Sequence, residues 1–540
     1  MEASDAGKVD ATTTVGPDIL TQRGDNGRTG VYSHETILTR ANVNGASFGK
    51  LYTLPLDGDV FAQPLYVGGY EIGGDTRNVL IVCTQHNSVY AFDADSSGAP
   101  LWQVNLGTPI PVTPAGVNPI FANYNVIVGQ IGIVSTPVID RANGLIYLAN
   151  IDLTGTSTIT NRVHVLSLST GKEMKGSPFV FDPKIAGTVD DGGTLYFDQA
   201  SQQIRPGLTL LNGLVYVAFG TRTDQTNHHG GIVAYKYDGA AGTLTQTYAW
   251  SSTQDVSAFA EAQGGIWQSG QGPMVDSAGN LYVTVANGAA TVQNGGTSYG
   301  EAFVKLSSEL KVVDWFLDSN WDKLNHEDLD VGSGGPVLVP GKNLVVAAGK
   351  AGHVYVLDSE NLGHMVANNP QDLGFAAVQS FYGSLVVWNG EGTTRLYIWG
   401  PDTSLRGFAL GASTFSTTSP LSSGDAAVTP VGFTNSVGNL SLSTNGTVAG
   451  TGILWANKPE SNPNMQRVPG ALYAFNPLTL DVLWSSGDTI GSSGTTTLGS
   501  FAKFVAPVIA NGKVYVPGST TTLASGVSPG VEMAVYGLTK

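Results

Sequence analysis

Residues 90–102 read YAFDADSSGAPLW, and this stretch decides the fold of the chain. A short apolar run is followed by a polar turn rich in Asp, Ser and Gly, and Trp102 closes the stretch eleven positions after Ala91. The apolar run is typical of a β-strand, and the polar cluster is typical of a turn. Residues 473–484, YAFNPLTLDVLW, repeat the design near the other end of the chain. The repetition indicates a structure built from copies of one unit.

Eight copies of this unit follow one another, each with an apolar first strand, a second strand rich in Val and Tyr, and a third strand. The second strands read VLIVCTQHN, LIYLANIDL, LVYVAFGTR, NLYVTVANG, NLVVAAGKAG, RLYIWGPD, GTGILWANK and KVYVPGS. The spacing is that of a four-stranded propeller blade, and no copy buries both of its faces unless the copies stack in a ring. The sequence therefore predicts an all-β protein, an eight-bladed β-propeller. Seven blades are the alternative, because the seventh copy is irregular.

The eighth copy reaches the C-terminus after its third strand, so its outer strand must come from elsewhere. Residues 48–56, FGKLYTLPL, are the candidate. They would close the ring by strand exchange and remove the sheet edges. We therefore expect a flexible lead-in over residues 1–30 and a single propeller domain over residues 31–540.

The composition excludes several functional classes. The formal net charge of −16 is unsuited to nucleic acid, which requires a basic face. No apolar run approaches the length of about 18 residues that a membrane span needs. The single Cys83 excludes an intrachain disulfide, and no Cys-x-x-Cys-His motif is present for a c-type haem in this chain. Little Lys and abundant Thr, Ser, Gly and Asn favour a secreted or periplasmic protein.

The two stretches around Trp102 and Trp484 resemble the tryptophan-docking repeat of the quinoprotein alcohol dehydrogenase superfamily. The resemblance covers nearly the whole chain. It implies the propeller fold, with the Ala and Trp of each repeat packing neighbouring blades together.

Repeat geometry also predicts where polar side chains meet. The inner strand of a blade runs down from the upper face and the second strand returns to it, so residues before the first and after the second converge on the upper mouth. The starts of the inner strands place there Gln63, Arg205, Trp267, Gln268, Asp328, Asp330, Tyr382 and Lys503. The ends of the second strands add His86, Arg222, Asn287, Lys350, Asp402 and Lys458, and the loop TRTDQTNHHGG adds Asp224, His228 and His229. So many cations at one mouth of an acidic protein predict an anionic small-molecule or saccharide ligand.

Four segments of the fourth and fifth copies, GGIWQSG, VANG, HEDLDVGSGG and GKAGHVYVLD, are similar to segments of methanol-dehydrogenase-type quinoproteins. The resemblance implies that Trp267 forms the floor under pyrroloquinoline quinone and that Asn287 ligates calcium. It also implies that Asp330 is the catalytic base and that Lys350 contacts the quinone. Of the three acids in HEDLD, we expect Asp330 to face the mouth within reach of Lys350, and Glu327 and Asp328 to lie on the rim.

The chain also departs from that pattern. One cysteine cannot form the vicinal disulfide that covers the quinone in many of these proteins. The calcium-ligating Glu has no clear counterpart, and Asp224 is the nearest candidate, which makes the implied metal ligands Asn287, Asp330 and Asp224. Arg205 and Arg222 complete the candidate cofactor site beside Trp267 and Asn287.

Three functional hypotheses remain. The first is a dehydrogenase that oxidises an alcohol or sugar with pyrroloquinoline quinone and calcium. The second is a cofactor-independent lyase or hydrolase on a uronate-containing saccharide, in which Arg205, Arg222 or Lys350 neutralises the carboxylate and His86, His228, His229 or Tyr382 moves the proton. The third is a non-catalytic binding or assembly propeller. The candidate substrate-binding residues are Gln63, Gln268, His228, His229, Asp402, Lys458 and Lys503.

Overall fold

The computed structural model of the protein describes residues 16–112, 126–187, 189–190, 193–223, 226–401, 403–424, 438–463, 466–487, 498–519 and 531–539. Its β-strands form eight antiparallel sheets that follow one another along the chain, each with four strands in radial order. This confirms the eight-bladed propeller predicted from the repeat, and the irregular seventh copy is a complete blade.

The strands of the first four blades are given from the inner to the outer strand. Blade 1 contains Leu65–Ile72, Asp75–Cys83, Ser88–Asp93 and Trp102–Asn105, and blade 2 contains Val138–Asp140, Leu145–Thr154, Thr158–Ser167 and Phe179–Val180. Blade 3 contains Thr209–Leu211, Leu214–Thr221, Gly231–Asp238 and Thr243–Ser251, and blade 4 contains Met274–Val275, Leu281–Thr284, Ala302–Leu306 and Val312–Leu317.

The remaining blades follow the same order. Blade 5 contains Val337–Leu338, Leu344–Ala348, His353–Asp358 and Phe375–Ala376, and blade 6 contains Val386–Gly390, Thr393–Ile398, Arg406–Ala409 and Leu421–Ser422. Blade 7 contains Asn439–Ser443, Ile453–Pro459, Pro469–Phe475 and Val482–Ser485, and blade 8 contains Val508–Ala510, Lys513–Ser519, Val531–Leu538 and Phe48–Leu56.

Short elements lie between and beside the blades. Val31–Tyr32 pairs with the inner strand of blade 7, Gln202–Gln203 with the second strand of blade 3, and Gly499–Ser500 with the third strand of blade 7; Ile110–Val112 and Gly129–Ile131 form a hairpin. Within the described residues the one α-helix is Trp321–His326, and the 3-10 turns are Ala258–Ala260, Gln268–Gly270, Val292–Asn294 and Val331–Ser333. No helix among them is long and apolar enough to cross a membrane.

The outer strand of blade 8 comes from the N-terminal side of the chain, which confirms the strand exchange. Phe48–Leu56 pairs antiparallel with Val531–Leu538, from Phe48 opposite Leu538 to Leu56 opposite Val531. The seam is packed as well as hydrogen-bonded, because the ring of Phe48 lies 4.9 Å from that of Trp484 in blade 7. Ring closure therefore joins the two ends of the chain.

The tryptophans of the opening stretches pack between blades. Trp102 pairs with Ala91 across its own sheet and donates its indole N–H to the carbonyl of Leu168 in blade 2, at 3.1 Å. Trp484 lies against Tyr536 of blade 8, with ring centroids 5.5 Å apart. Both contacts are those expected of a docking residue, since each indole buries a large apolar area between adjacent sheets.

An N-terminal belt, residues 16–32, runs around the inner strands. Backbone hydrogen bonds join this belt in turn to six blades through Ile19, Leu20, Asn26, Gly27, Thr29 and Gly30, whose partners are Tyr66, Ile139, Val275, Leu338, Val387 and Leu442. The segment carries no periodic apolar pattern, and its conformation comes from pairing with strands distant in sequence. For residues 16–30 the structure therefore differs from the flexible lead-in that the sequence predicted; residues 1–15 lie outside the described part.

Two arginines of the belt are buried. Arg23, 1% exposed, donates to the carbonyls of Leu385 and Leu440. Arg28, 0% exposed, donates to Thr209 and to the carbonyl of Pro273. Burial lowers the pKa of both guanidiniums to about 10. The belt thus fills the space between the inner strands below the mouth with hydrogen-bonded cations.

Candidate functional site

Blades 4 and 5 bring the principal candidates together at the upper mouth. Asp330 precedes the inner strand of blade 5, Lys350 follows its second strand, and the Lys350 backbone N–H donates to the Asp330 carbonyl at 2.9 Å. Asn287 follows the second strand of blade 4, and its backbone N–H lies 3.3 Å from Asp330 Oδ1. Residues before the inner strands and after the second strands were expected to converge, and these three residues are in direct contact.

Gly332, two positions after Asp330, makes this close approach of blades 4 and 5 possible. A Cβ on Gly332 would lie 2.5 Å from the backbone nitrogen of Ala286 in blade 4, closer than non-bonded atoms come. Only a residue without a side chain lets the start of blade 5 lie against the end of the second strand of blade 4. Gly332 thereby fixes the separation between Asp330 and Asn287.

Lys350 forms ion pairs with two of the three acidic residues in the segment HEDLD, residues 326–330. Its Nζ lies 2.7 Å from Asp330 Oδ2 and 2.5 Å from Asp328 Oδ1. Asp330 is completely buried, whereas the side chain of Asp328 is 61% exposed and also accepts from the Asn287 amide at 3.0 Å. Glu327 is exposed, as expected of a rim residue. Asp328 lies on the rim too, but it belongs to the cluster.

The cluster contains a fourth carboxyl group, that of Glu301, which could not be recognised as a site residue from the sequence. It stands in the irregular segment before the third strand of blade 4, is 1% exposed, and accepts from the Val331 backbone N–H at 2.7 Å. Burial first, and the charge of Asp330 second, raise the pKa of Glu301 well above its ordinary value. A charged residue directly before the apolar run AFV was the only signal in the sequence. Because Glu301 holds the first residue of the 3-10 turn, it positions Asp330.

Burial also governs the protonation of the central pair. It raises the pKa of Asp330, while the adjacent Lys350 ammonium opposes this shift. The two aspartates raise the pKa of Lys350 above its ordinary value despite the burial of its side chain. The pair therefore consists of a carboxylate with increased basicity and a permanently charged ammonium.

Aromatic side chains border the cluster. The Lys350 Nζ lies over the half-buried indole of Trp267, 6.0 Å from its ring centroid. Gly220 leaves room for this indole, since a Cβ on Gly220 would lie 2.7 Å from the indole nitrogen. The hydroxyl of Tyr382 is close enough for Lys350, Asp328 and Asp330 to influence it, and burial raises its pKa. Trp267 and Tyr382 thus form apolar walls beside the charged groups.

A second group of cations lies at the mouth. Arg205 places its guanidinium 4.5 Å from the ring centroid of Phe504, and the adjacent Lys503 is 5% exposed. Arg222 is 6% exposed and donates to the carbonyls of Ala200 and Gln202. Arg222 thus makes hydrogen bonds within the fold, whereas Lys503 lines a pocket.

Other candidates have structural roles. Gln63 accepts from the Arg23 backbone N–H at 3.0 Å and so holds the belt, and Gln268, 0% exposed, accepts from Thr284 at 2.9 Å. Lys458 is buried and ion-paired with Glu460, and half-buried His86 lies 3.1 Å from the Gln130 amide. Asp224 and Asp402 lie outside the described residues.

The two histidines of the NHH loop, predicted to bind substrate, are buried within the fold. Both are 0% exposed. His229 Nε2 lies 2.7 Å from Asp190 Oδ2 and its Nδ1 lies 2.8 Å from Thr253 Oγ1. His228 Nδ1 donates to the Thr226 carbonyl at 2.7 Å. A loop sequence does not reveal that its side chains turn inward, and substrate binding by these two histidines stays a prediction.

His228 predicts an acid-sensitive fold. Burial lowers its pKa from 6.5 to about 4, so the unfolded chain takes up the proton first as the pH falls. Stability from this residue is complete above pH 6.5 and decreases between there and about pH 4. We expect a loss of about 2 kcal/mol in the free energy of unfolding at about pH 5 relative to about pH 8. Urea unfolding at both values measures it.

The matched variant is His228→Asn, whose amide can still donate to the Thr226 carbonyl but does not titrate. Its free energy of unfolding should fall by about 2 kcal/mol less than that of the wild type over this pH range. His326→Asn, at a ring that is 73% exposed, should keep the wild-type dependence. Equal pH dependence in the wild type and His228→Asn would contradict the assignment.

Comparison with known proteins supports the fold alone. No family model and no curated protein matches the sequence. A europium-containing methanol dehydrogenase superposes with a TM-score of 0.61 at 13% identity, over 96% of this chain and 98% of that one. Quinohemoprotein alcohol dehydrogenases from Comamonas testosteroni and Pseudomonas putida HK5 give TM-scores of 0.59 at 16% and 14% identity, each over 96% of this chain and 80% of the other. The chain therefore has the quinoprotein-type eight-bladed propeller fold expected from its repeats.

Proposed function

We propose that this protein is a quinone-dependent dehydrogenase that oxidises an alcohol or a sugar at the upper mouth. One observation carries the proposal: Trp267, Asn287, Asp330 and Lys350, separated along the sequence, adjoin one another in the fold. They are the four positions where the resemblance to methanol-dehydrogenase-type quinoproteins implies the cofactor site. The three dehydrogenases of similar fold described above support the same activity class.

The residues present fit a planar quinone. The indole of Trp267 offers a flat apolar face, and its N–H is buried without a hydrogen-bond acceptor among the described residues. The 6.0 Å between the Lys350 ammonium and the indole centroid exceeds a van der Waals contact of about 3.5–4.0 Å. Trp267 would carry the ring, and Lys350 would face its oxygen. Arg205, whose guanidinium lies 4.5 Å from the Phe504 ring centroid, would supply positive charge for a carboxylate of pyrroloquinoline quinone.

The described residues do not form a calcium site by themselves. Calcium prefers six to eight oxygen ligands. Asn287 Oδ1 is buried without a hydrogen-bond donor among the described residues, but Asp330 Oδ2 already lies 2.7 Å from the Lys350 ammonium, which would compete with a metal ion. No group of three or more His, Cys, Asp or Glu in the described part of the chain is arranged to hold a metal. The positive charge beside Asp330 is therefore that of Lys350, and we derive no step through calcium.

The chain's own residues have distinct tasks in this proposal. When bound, the quinone would supply an acceptor for the hydride of the alcohol carbon. Asp330 takes the hydroxyl proton, for which its raised pKa suits it. Lys350 stabilises negative charge that develops near its ammonium. Glu301 keeps Asp330 in place, and the walls formed by Trp267 and Tyr382 exclude water.

Thermal denaturation with pyrroloquinoline quinone, with and without calcium, tests the proposal. A ligand that binds only the folded state stabilises it by about 2.7 kcal/mol at a concentration 100-fold above its Kd, so Tm should rise. Trp267→Ala should abolish the rise. Trp315→Ala, in the outer strand of blade 4 where the indole stacks on His364, should keep it. An unchanged Tm at saturating quinone, with calcium present, would rule out the dehydrogenase.

The same experiment, together with an assay of turnover on uronate saccharides, separates the alternatives. The lyase or hydrolase hypothesis relied on His86, His228, His229 or Tyr382 to move a proton, and two of these are buried and hydrogen-bonded within the fold. A non-catalytic propeller would show neither a quinone-dependent Tm nor turnover of uronate saccharides. Secretion or periplasmic location agrees with a quinone enzyme and stays part of the proposal.

A further inference from the structure

A pocket between blades 7, 8 and 1 contains a buried lysine that the proposed reaction does not require. It is lined by Asp59, Phe61, Val126, Arg467, Phe501 and Lys503. Lys503 is 5% exposed, and its Nζ donates one hydrogen bond, 2.8 Å long, to the Val126 carbonyl. An ammonium carries three N–H groups, so two have no acceptor within the part of the chain that the structure describes.

The charges around Lys503 are unbalanced. Arg467 and Asp59 neutralise each other through a bidentate ion pair, with contacts of 2.6 and 2.9 Å to one carboxylate oxygen. Among the described residues, the one charge that acts on Lys503 is the guanidinium of Arg205, which has the same sign. Burial first, and Arg205 second, lower the pKa of Lys503 to about 8. A buried ammonium beside a second cation is unfavourable until an anion joins them.

The other walls indicate what kind of anion fits. Phe61 and Phe501 contribute aromatic surface, and Val126 contributes aliphatic surface. Apolar walls with one convergent cation are typical of a site for a small organic ligand. A hydrated inorganic ion would leave these walls uncovered, whereas an apolar body attached to an anionic group would cover them.

We propose that the pocket of Lys503 binds a small organic carboxylate, with the carboxylate on Lys503 and the apolar body against Phe61 and Phe501. The site lies at the start of blade 8, whereas Asp330 and Lys350 belong to blade 5. It does not depend on the proposed dehydrogenase activity. It would recognise either a carboxylated substrate or a carboxylate that regulates the mouth.

Isothermal titration calorimetry without quinone tests this site, so its result is independent of the dehydrogenase assay. The probes are benzoate and its neutral isostere benzamide, at concentrations up to about 10 mM, the weak end of specific binding. Benzoate should bind at least ten times more tightly than benzamide. Lys503→Met should remove this preference, and Lys342→Met, at an exposed lysine, should leave it intact.

The pH dependence gives a second measurement that does not depend on a variant. Lys503 is faced by Arg205, Arg467 and Asp59, and among them Lys503 has the lowered pKa of about 8. Benzoate affinity should therefore decrease as the pH rises above about 8, the pKa of Lys503 in the unliganded protein, and level off above the higher pKa of the bound state. Absence of benzoate binding, equal affinity for benzamide, or unchanged binding by Lys503→Met would each overturn the proposal.

Discussion

Replacing Asp330 by asparagine is expected to reduce the rate of alcohol oxidation by about 10²–10⁴-fold, the range that a general base contributes. The amide keeps the shape of the carboxylate and can still accept from the Asn287 backbone N–H, but it cannot take a proton. The fold should survive because Lys350 keeps its second partner, Asp328, at 2.5 Å. Turnover with pyrroloquinoline quinone, calcium and an artificial electron acceptor measures the effect.

Two comparisons make this result specific. Asp322→Asn makes the same change at a side chain that is 71% exposed on the neighbouring helix, and it should leave turnover unchanged. The double variant Asp328→Asn with Asp330→Asn leaves the Lys350 ammonium, 13% exposed, without a carboxylate. Breaking a buried pair costs about 3–5 kcal/mol, so the double variant should be destabilised while Asp330→Asn is not. Turnover by Asp330→Asn within a few-fold of the wild type would place the base elsewhere.

Replacing Arg23 by methionine is expected to destabilise the protein by about 2–5 kcal/mol, because the carbonyls of Leu385 and Leu440 lose a buried charged donor. Methionine replaces only the aliphatic part of the side chain, so the effect combines the lost hydrogen bonds with the space that the guanidinium leaves. Urea unfolding followed by tryptophan fluorescence measures it. The belt would then contribute to global stability and not only cover the inner strands.

The surface variant Arg77→Met is the matched control. Its guanidinium pairs with Asp75 and Asp93 at a side chain that is 34% exposed, where ion pairs contribute about 0–1 kcal/mol. Gly30→Ala perturbs the same contact from the other side, since its Cβ would come within 2.2 Å of the Arg23 guanidinium at a residue with φ of 72°. Equal stability of Arg23→Met and Arg77→Met would show that the belt contributes little.

The repeat made most of the fold predictable. Strand alternation and turns recur in every copy, so blade number and the exchanged strand at residues 48–56 follow from the pattern. The belt follows no such pattern. Its sequence, DILTQRGDNGRTGVY, resembles a polar loop, and its structure depends on carbonyls and N–H groups of distant inner strands.

The site was predictable to the extent that repeat geometry fixes it. Asn287 and Lys350 follow the second strands of adjacent blades, Asp330 precedes the inner strand of blade 5, and their contacts follow from that placement. Glu301, His228 and His229 lie in irregular loops, where the direction of a side chain depends on local turns. Their burial could therefore be learned only from the structure.

The exchanged strand has a consequence for synthesis of the chain. Phe48–Leu56 is synthesised long before its partner Val531–Leu538, because more than 450 residues separate the two strands. Until then this segment has an open edge able to pair with any other strand, including the same segment of a neighbouring nascent chain. Blade 8 therefore forms only after residues 531–538 are synthesised. A chain truncated before residue 531 would have seven blades and an unpaired strand at residues 48–56.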